Sequence, residues 1–285
     1  MQVFKEKTPL KAAINAEKSK AKIIGLVPTM GALHHGHLSL VKQALQSCDR
    51  VIISIFVNPT QFDNPADLEK YPRTLDEDIK LLEEASDHLW IFAPTANELY
   101  GENISSEQFN FDGLEQVMEG KYRNGHFDGV GTIVKRLFTI VEPHKAFFGE
   151  KDFQQLQIVR KLTEKAELPV KIIGCPILRE DNGLARSSRN ERLDKEQREE
   201  ASFIYQTLLK TRELFGTKSA DYIHNWVKEQ FKNHPVLELE YFEIANTQTL
   251  KKINRKRKGH NYRAFIAAYA GDIRLIDNIA LNNEE

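Results

Sequence analysis

Short apolar runs alternate with stretches of helical spacing over the first two thirds of the chain. The runs fall at 22–27, 51–57, 89–92, 146–148 and 170–177. Between them, residues 39–47, 75–85, 130–141 and 153–166 repeat apolar positions every three or four residues, the period of an amphipathic helix. Continuous Val/Ile/Leu/Phe strands interleaved with helices predict a mainly parallel sheet covered on both faces. Right-handed crossovers then make an α/β, Rossmann-like doubly wound domain, whose ligand crevice lies at the carboxyl ends of the strands. Beyond about residue 177 the pattern changes. A charged helical stretch (193–214) and a second helix (222–231) precede three strand-like runs at 237–244, 262–269 and 273–276. The expected division is a first domain over 1–177 and a smaller α+β domain over 178–285.

Composition narrows the function classes. Of 285 residues, 41% are hydrophobic and 28% charged, and the net charge is −1. Such a balance suits a globular protein and creates no global field toward nucleic acid or membrane. The chain has no apolar stretch near ~18 residues, the length of a membrane helix. Its first residues, Met1-Gln2-Val3-Phe4-Lys5, lack the apolar core of a secretion signal. Cys48 and Cys175 lack CxxC spacing and read as small buried hydrophobes. A cytoplasmic location is expected, with no nucleic acid and no membrane as partner. The basic run Lys251-Lys252-Ile253-Asn254-Arg255-Lys256-Arg257-Lys258 sits between two strand candidates without aromatics and reads as a solvated loop.

Candidate chemistry concentrates just after the apolar runs. Pro28-Thr29-Met30-Gly31-Ala32-Leu33-His34-His35-Gly36-His37 joins the first run to a helical pattern. A helix start offers unpartnered N–H groups and a dipole that favours an anion, commonly phosphate. His34 and His37, three apart, can face that anion together, and Gly36 leaves the backbone between them bare. The spacing is the HxGH arrangement of nucleotidyl-transferring enzymes. A zinc half-site and purely structural capping are the competing readings. A metalloprotease helix, however, would carry Glu beside the first His, and position 35 is His.

After the second run, Pro59 ends the strand and turns Asn58 and Gln61 toward the crevice. Neutral amides suit a ligand with hydroxyls beside a carboxylate, which they orient without neutralising. After the fourth run come Gly149, Glu150, Lys151, Asp152 and, one turn on, Gln155. Lys151 suits a phosphate; Asp152 suits a helix cap, ribose hydroxyls or Mg²⁺. In the last cluster, Arg179 to Asn190, Ser187 and Ser188 stand between Arg186 and Arg189, a donor-rich patch for a phosphate chain. Gly183 is expected to give this loop its freedom.

Taken together these segments resemble the pantoate–β-alanine ligase (pantothenate synthetase) family over essentially the whole chain. The matching words are PTMGALHHGH (28–37), FVNPTQF (56–62), YPR (71–73), RNGHFDGV (123–130), FFGEKDFQQL (147–156) and SSRN (187–190), in family order. The resemblance implies a Rossmann-like domain with a C-terminal lid domain, a homodimer, and ATP with Mg²⁺. It places Met30, Gly31, Ala32, Leu33, His34, His35, Gly36 and His37 along ATP. His34 and His37 would meet its phosphates, with His37 the proton donor. Gly149, Glu150, Lys151 and Asp152 would hold ATP too, Asp152 beside ribose or Mg²⁺. Leu178, Arg186, Ser187, Ser188 and Arg189 would complete the nucleotide site. Gln61 and Gln155 would hold pantoate, helped by Asn58, with Arg123 toward β-alanine. Two positions depart from the family pattern: Arg186 stands where Met is usual before the serines, and Asn124 where Pro is common.

The implied reaction has two steps. Pantoate's carboxylate displaces pyrophosphate from ATP, and the amine of β-alanine then displaces AMP from the pantoyl adenylate. No protein nucleophile is required, and no Ser-His-Asp or Cys-His arrangement is evident. Another HxGH nucleotidyltransferase would explain the histidines but not the Asn/Gln turn. A silent nucleotide-binding module would predict loss of an ATP-site residue.

Overall fold

A computed structural model describes residues 1–62, 65–253 and 255–282. Asn254, within the basic run, lies outside the described residues. The chain divides into two compact units, Met1–Pro176 and Ile177–Glu285.

The first unit holds strands β1 (Gln2–Phe4), β2 (Ile24–Thr29), β3 (Arg50–Ile55), β4 (Trp90–Phe92), β5 (Lys145–Gly149) and β6 (Lys171–Cys175). Its helices are α1 (Lys7–Lys18), α2 (His35–Leu45), α3 (Pro65–Lys70), α4 (Leu75–Glu83), α5 (Ala96–Tyr100), α6 (Glu119–Tyr122), α7 (His126–Val141) and α8 (Phe153–Lys165). The strands pair in parallel in the order β1-β4-β3-β2-β5-β6, a doubly wound, Rossmann-like sheet. Ile24, Leu26, Val27, Ile52 and Ile53 are fully buried, as central strands covered by helices on both faces require. Gly25 is fixed by crowding: a Cβ there would lie 2.8 Å from Cys48 Sγ. Cys48 itself is half-buried rather than buried, whereas Cys175 is buried.

The hydrophobic pattern does not show β1, α1 or the short helices α3, α5 and α6. β1 is three residues long and finds its partner β4 near residue 90. α1 buries only Leu10 and Ile14 on an otherwise polar surface, too narrow a stripe to register as periodic. Helices α2 and α7 also begin four residues before the apolar periodicity does, because their first turns carry histidines.

The second unit contains α9 (Lys195–Glu200), α10 (Ser202–Phe215), α11 (Ala220–Phe231) and an antiparallel sheet β7 (Leu237–Asn246), β8 (Tyr262–Ala270), β9 (Ile273–Ala280). α10 and α11 pack on that sheet around Ile204, Leu208, Ile223, Val227, Phe242 and Ile266. The single helix expected over 193–214 is two: Asp194 and Gln197 cap α9, and fully buried Ala201 marks the break before α10. No helix of the described residues is long and apolar enough to cross a membrane.

Candidate active site

The sheet itself makes the crevice. Connections leave β2 toward β3 on one side, while β5 lies on the other, so the strand order reverses between β2 and β5. Ligands of open α/β sheets bind at such a reversal, outside the carboxyl ends of the strands. The β2–β5 ladder stops at Leu26↔Ala146, and Val27, Pro28 and Thr29 pair only with β3. Pro28 has no N–H to extend that ladder. Past this point the chain leaves β2 into residues 30–34 and leaves β5 at Gly149 into 150–152.

The histidine pair is locked by its own backbone. His34, extended at φ −142°, is the N-cap of α2. Its Nδ1 accepts the Gly36 N–H at 3.1 Å, and His37 Nδ1 accepts the His34 N–H at 3.2 Å. An accepting ring nitrogen carries no proton, so each neutral ring holds its proton on Nε2 and presents a donor there. The rings lie 4.2 Å apart, tilted by 41°. Desolvation, and then the Lys151 ammonium, push the His37 pKa down to about 4. His37 is therefore a neutral donor at pH 7. Most of the open backbone N–H groups expected at this helix start are used: Gly36 donates to His34 Nδ1, while His37 and Leu38 donate to the His34 carbonyl, and only the His35 N–H has no partner among the described residues.

The candidate amides divide into two kinds. Asn58 is buried and its amide is fully engaged. Its Nδ2 donates to Gln61 Oε1 (3.2 Å) and the Gly129 carbonyl (3.1 Å). Its Oδ1 accepts from the Tyr100 hydroxyl (2.6 Å) and Thr60 Oγ1 (3.2 Å). Asn58 thus orients the turn, and Gln61 in particular, with nothing left for a ligand. Gln61 keeps Nε2 against Met30 Sδ at 2.7 Å. Gln155, half-buried in the first turn of α8, makes no side-chain hydrogen bond among the described residues. Its neighbour Gln154 is spent internally, accepting from the Glu119 N–H and donating to the Leu114 and Val117 carbonyls.

His126 stands behind Gln61 and is not among the candidate residues named from the sequence, where it lies inside the 123–130 word. Arg123 Nη1 donates to His126 Nε2 at 3.1 Å, so Nδ1–H is the end that donates to the Gln61 carbonyl at 2.9 Å. Desolvation first, and the Arg123 charge second, lower the His126 pKa to about 4. Glu119 Oε2 lies 3.8 Å from Arg123 Nη1. Arg123 therefore reaches the Gln61 turn through His126. Glycine matters where α7 meets this turn: a Cβ on Gly129 would sit 2.3 Å from the Thr60 carbonyl oxygen.

Past β5, Lys151 is half-buried and acts electrostatically on His37. Glu150 leans back toward β6, with Oε1 3.3 Å from where a Gly174 Cβ would stand. Asp152 is exposed and makes no capping hydrogen bond to α8, so its carboxylate is not spent on the helix. Among the described residues no group of three or more His, Cys, Asp or Glu is assembled. A Mg²⁺ at Asp152 would need ligand oxygens to fill its shell, which is how this ion ordinarily binds with phosphates.

In the second unit, residues 178–186 form a pinned hairpin rather than a free loop. Glu180 and Leu184, and Leu178 and Arg186, are joined by backbone hydrogen bonds. Arg179 grips Asp277 with both terminal nitrogens (2.6 and 3.0 Å) and stacks 3.7 Å over the Tyr205 ring. Glu180 accepts from Arg198 and from buried Asn190. Gly183, at φ +91°, is held against Tyr205, where a Cβ would come within 2.5 Å. Its role is fit, which replaces the freedom expected of it. Ser187 Oγ accepts the Arg189 N–H and starts a short 3-10 helix, Ser188–Arg192. Arg186, Ser188 and Arg189 are half-buried and Leu178 is exposed. Arg198 hydrogen bonds chiefly, with the Arg186 charge adding, hold the Glu180 carboxyl below its usual range.

Comparison with known proteins agrees across the whole chain. The family model described as pantoate-beta-alanine ligase matches residues 2–280. The pantothenate synthetase of Christiangramia forsetii is 67% identical over 283 residues, covering 99% of this chain and 100% of the relative. That of Flavobacterium psychrophilum is 54% identical over 281 residues, covering 99% and 100%. The crystal structure of pantothenate synthetase from Thermus thermophilus matches with a TM-score of 0.90 at 38% identity, over 99% of each chain. The Francisella tularensis pantoate-beta-alanine ligase, complexed with beta-gamma ATP and beta-alanine, matches with a TM-score of 0.79 at 33% identity, over 100% of this chain and 99% of that one.

Proposed function

The chain belongs to the pantoate-beta-alanine ligase family, and we propose that it joins pantoate to β-alanine by way of a pantoyl adenylate. ATP is the activating substrate in this reading. A carboxylate oxygen of pantoate attacks the α-phosphorus, the bond from that phosphorus to the bridging oxygen breaks, and pyrophosphate leaves. The β-alanine nitrogen then attacks the acyl carbon, loses a proton, and AMP departs with the acyl oxygen's bond pair.

The observation that carries the reading is the state of the histidine pair. Both Nδ1 atoms are committed to backbone N–H groups, which leaves Nε2–H donors at the β2–β5 crevice with the Lys151 charge beside them. Donors fixed before the substrate arrives stabilise charge growing on phosphate without reorganising. The resemblance gives His37 a proton donor's part; with a pKa of about 4 it plays that part as a neutral hydrogen-bond donor. Gln155 and Gln61 Nε2 orient pantoate, and neither neutralises the attacking carboxylate. Ser187, Ser188 and Arg189 take the departing pyrophosphate, a role carried by the resemblance. Mg²⁺, bound with the triphosphate and reached by Asp152, would neutralise phosphate charge. A homodimer and a cytoplasmic location follow from the same resemblance and from composition.

Isotope exchange tests the order of steps. Labelled pyrophosphate should enter ATP with pantoate present and β-alanine absent. Exchange that strictly requires the amine would refute the adenylate.

A further inference from the structure

The turn that leaves β2 has its backbone N–H groups answered by side chains, one after another. Gly31 donates to Thr29 Oγ1 (3.3 Å), Ala32 to Asp78 Oδ2 (3.1 Å), Leu33 to Asp78 Oδ1 (2.7 Å), and His34 to His37 Nδ1 (3.2 Å). Gly31 and Ala32 both adopt left-handed conformations, at φ +82° and +49°. Ala32 accepts that strain without being glycine. Consecutive N–H groups turned inward in this manner form a nest, a concavity that binds anions. Here the anion is internal. Asp78, on α4, is 2% exposed and fills the nest, with Thr74 Oγ1 donating to it at 3.3 Å. Asp78 Oδ2 lies 3.0 Å from where a Gly31 Cβ would stand, so the carboxylate also enforces glycine there. Burial raises the Asp78 pKa, a cost the three donors offset in part.

We infer that Asp78 is a positioning residue for the nucleotide side of the reaction. Its carboxylate occupies the nest that phosphate would otherwise enter, and by holding residues 31–33 it sets where Met30 leaves β2 and where His34 caps α2. Phosphate is thereby left to the Nε2–H groups and Lys151. The inference rests on the nucleotide role proposed above for residues 30–37.

The test is steady-state kinetics of the full chain carrying Asp78→Asn, with ATP, pantoate and β-alanine each varied in turn. The amide retains one acceptor and turns an NH₂ group onto a backbone N–H, so the nest loosens while the side-chain shape is kept. KM for ATP should rise about tenfold or more and kcat should fall about tenfold, the scale of one lost charge-assisted hydrogen bond. KM for pantoate should stay within about threefold, because Gln155 lies on α8 and Gln61, besides its contact with Met30, is held by Asn58 and His126. A lower melting temperature with unchanged constants per folded molecule, or equal rises in both KM values, would overturn the inference. Should Asp78→Asn not fold, Thr74→Val decides: the same ATP-selective rise, about threefold, supports the inference and unaltered constants overturn it. Pyrophosphate exchange by the unsubstituted chain separates the two readings. Its absence refutes the nucleotide role itself, whereas normal exchange with unaltered Asp78→Asn constants refutes only the part given to Asp78.

Discussion

Replacing Asn58 by alanine should destabilise the first unit before it weakens any ligand. The side chain makes four hydrogen bonds, and alanine removes all of them. The Gly129 carbonyl sits on a helix and retains that route for its oxygen. The Tyr100 hydroxyl, shared with Thr60 at 3.1 Å, loses its shorter bond, and Gln61 Oε1 loses its donor. A buried polar group left without any partner costs about 1–3 kcal/mol, and because Tyr100 keeps Thr60 the loss falls in the lower part of twice that range, at about 2–4 kcal/mol. For a unit of this size each kcal/mol moves the melting temperature by about 2–4 °C, which gives a fall of roughly 5–15 °C. Differential scanning calorimetry and the urea midpoint of the full chain measure it. Pantoate KM should also rise, as Gln61 loses its orientation. A melting point within about 1 °C of the parent, together with a pantoate KM raised more than tenfold, would refute the reasoning. Asn58 would then be a ligand contact, and its internal bonds incidental.

Gln155→Ala should do the opposite: with no side-chain hydrogen bond to lose among the described residues, its melting point stays within about 1 °C while pantoate KM rises about 10–100-fold, read by initial rates. Acid should weaken the fold through the histidines. His126 and His37 titrate near 6.5 when unfolded and at about 4 when folded, so the unfolded chain takes up protons first as pH falls. The stability from burying them neutral is complete above about pH 6.5 and lost down to about pH 4, up to about 3 kcal/mol for His126. A urea midpoint that stays level between pH 7 and 5 would contradict this. Arg186→Met should change ATP KM modestly and keep turnover within about tenfold, less than the loss of a charge-stabilising donor; a collapse of turnover would show that Arg186 meets transition-state charge.

The alternation of apolar runs and helical periods was enough to place β2 to β6 and the doubly wound class, because burial on two faces leaves a mark on every residue of a strand. The same local pattern located the crevice loops at 30–37 and 149–152, since ligand sites follow the strand ends of such sheets. Chemistry-bearing words in order, from residue 28 to residue 190, supplied the family. What stayed hidden depends on partners remote in sequence. Asn58 and Gln155 are both amides just past a strand, and nothing local separates them. Tyr100 and Gly129 spend the first, and no described group engages the second. Asp78 leaves a trace, an acid on the apolar stripe of Leu75 and Leu82, but its meaning comes from N–H groups 45 and 46 residues away. Gly183 reads as freedom until Tyr205 is set against it, and β1 cannot be seen as a strand without β4. Periodicity reports which faces are buried, and that information is local. Whether a polar group is spent or available depends on which distant donors and acceptors the fold brings within about 3 Å, and only the tertiary structure decides that.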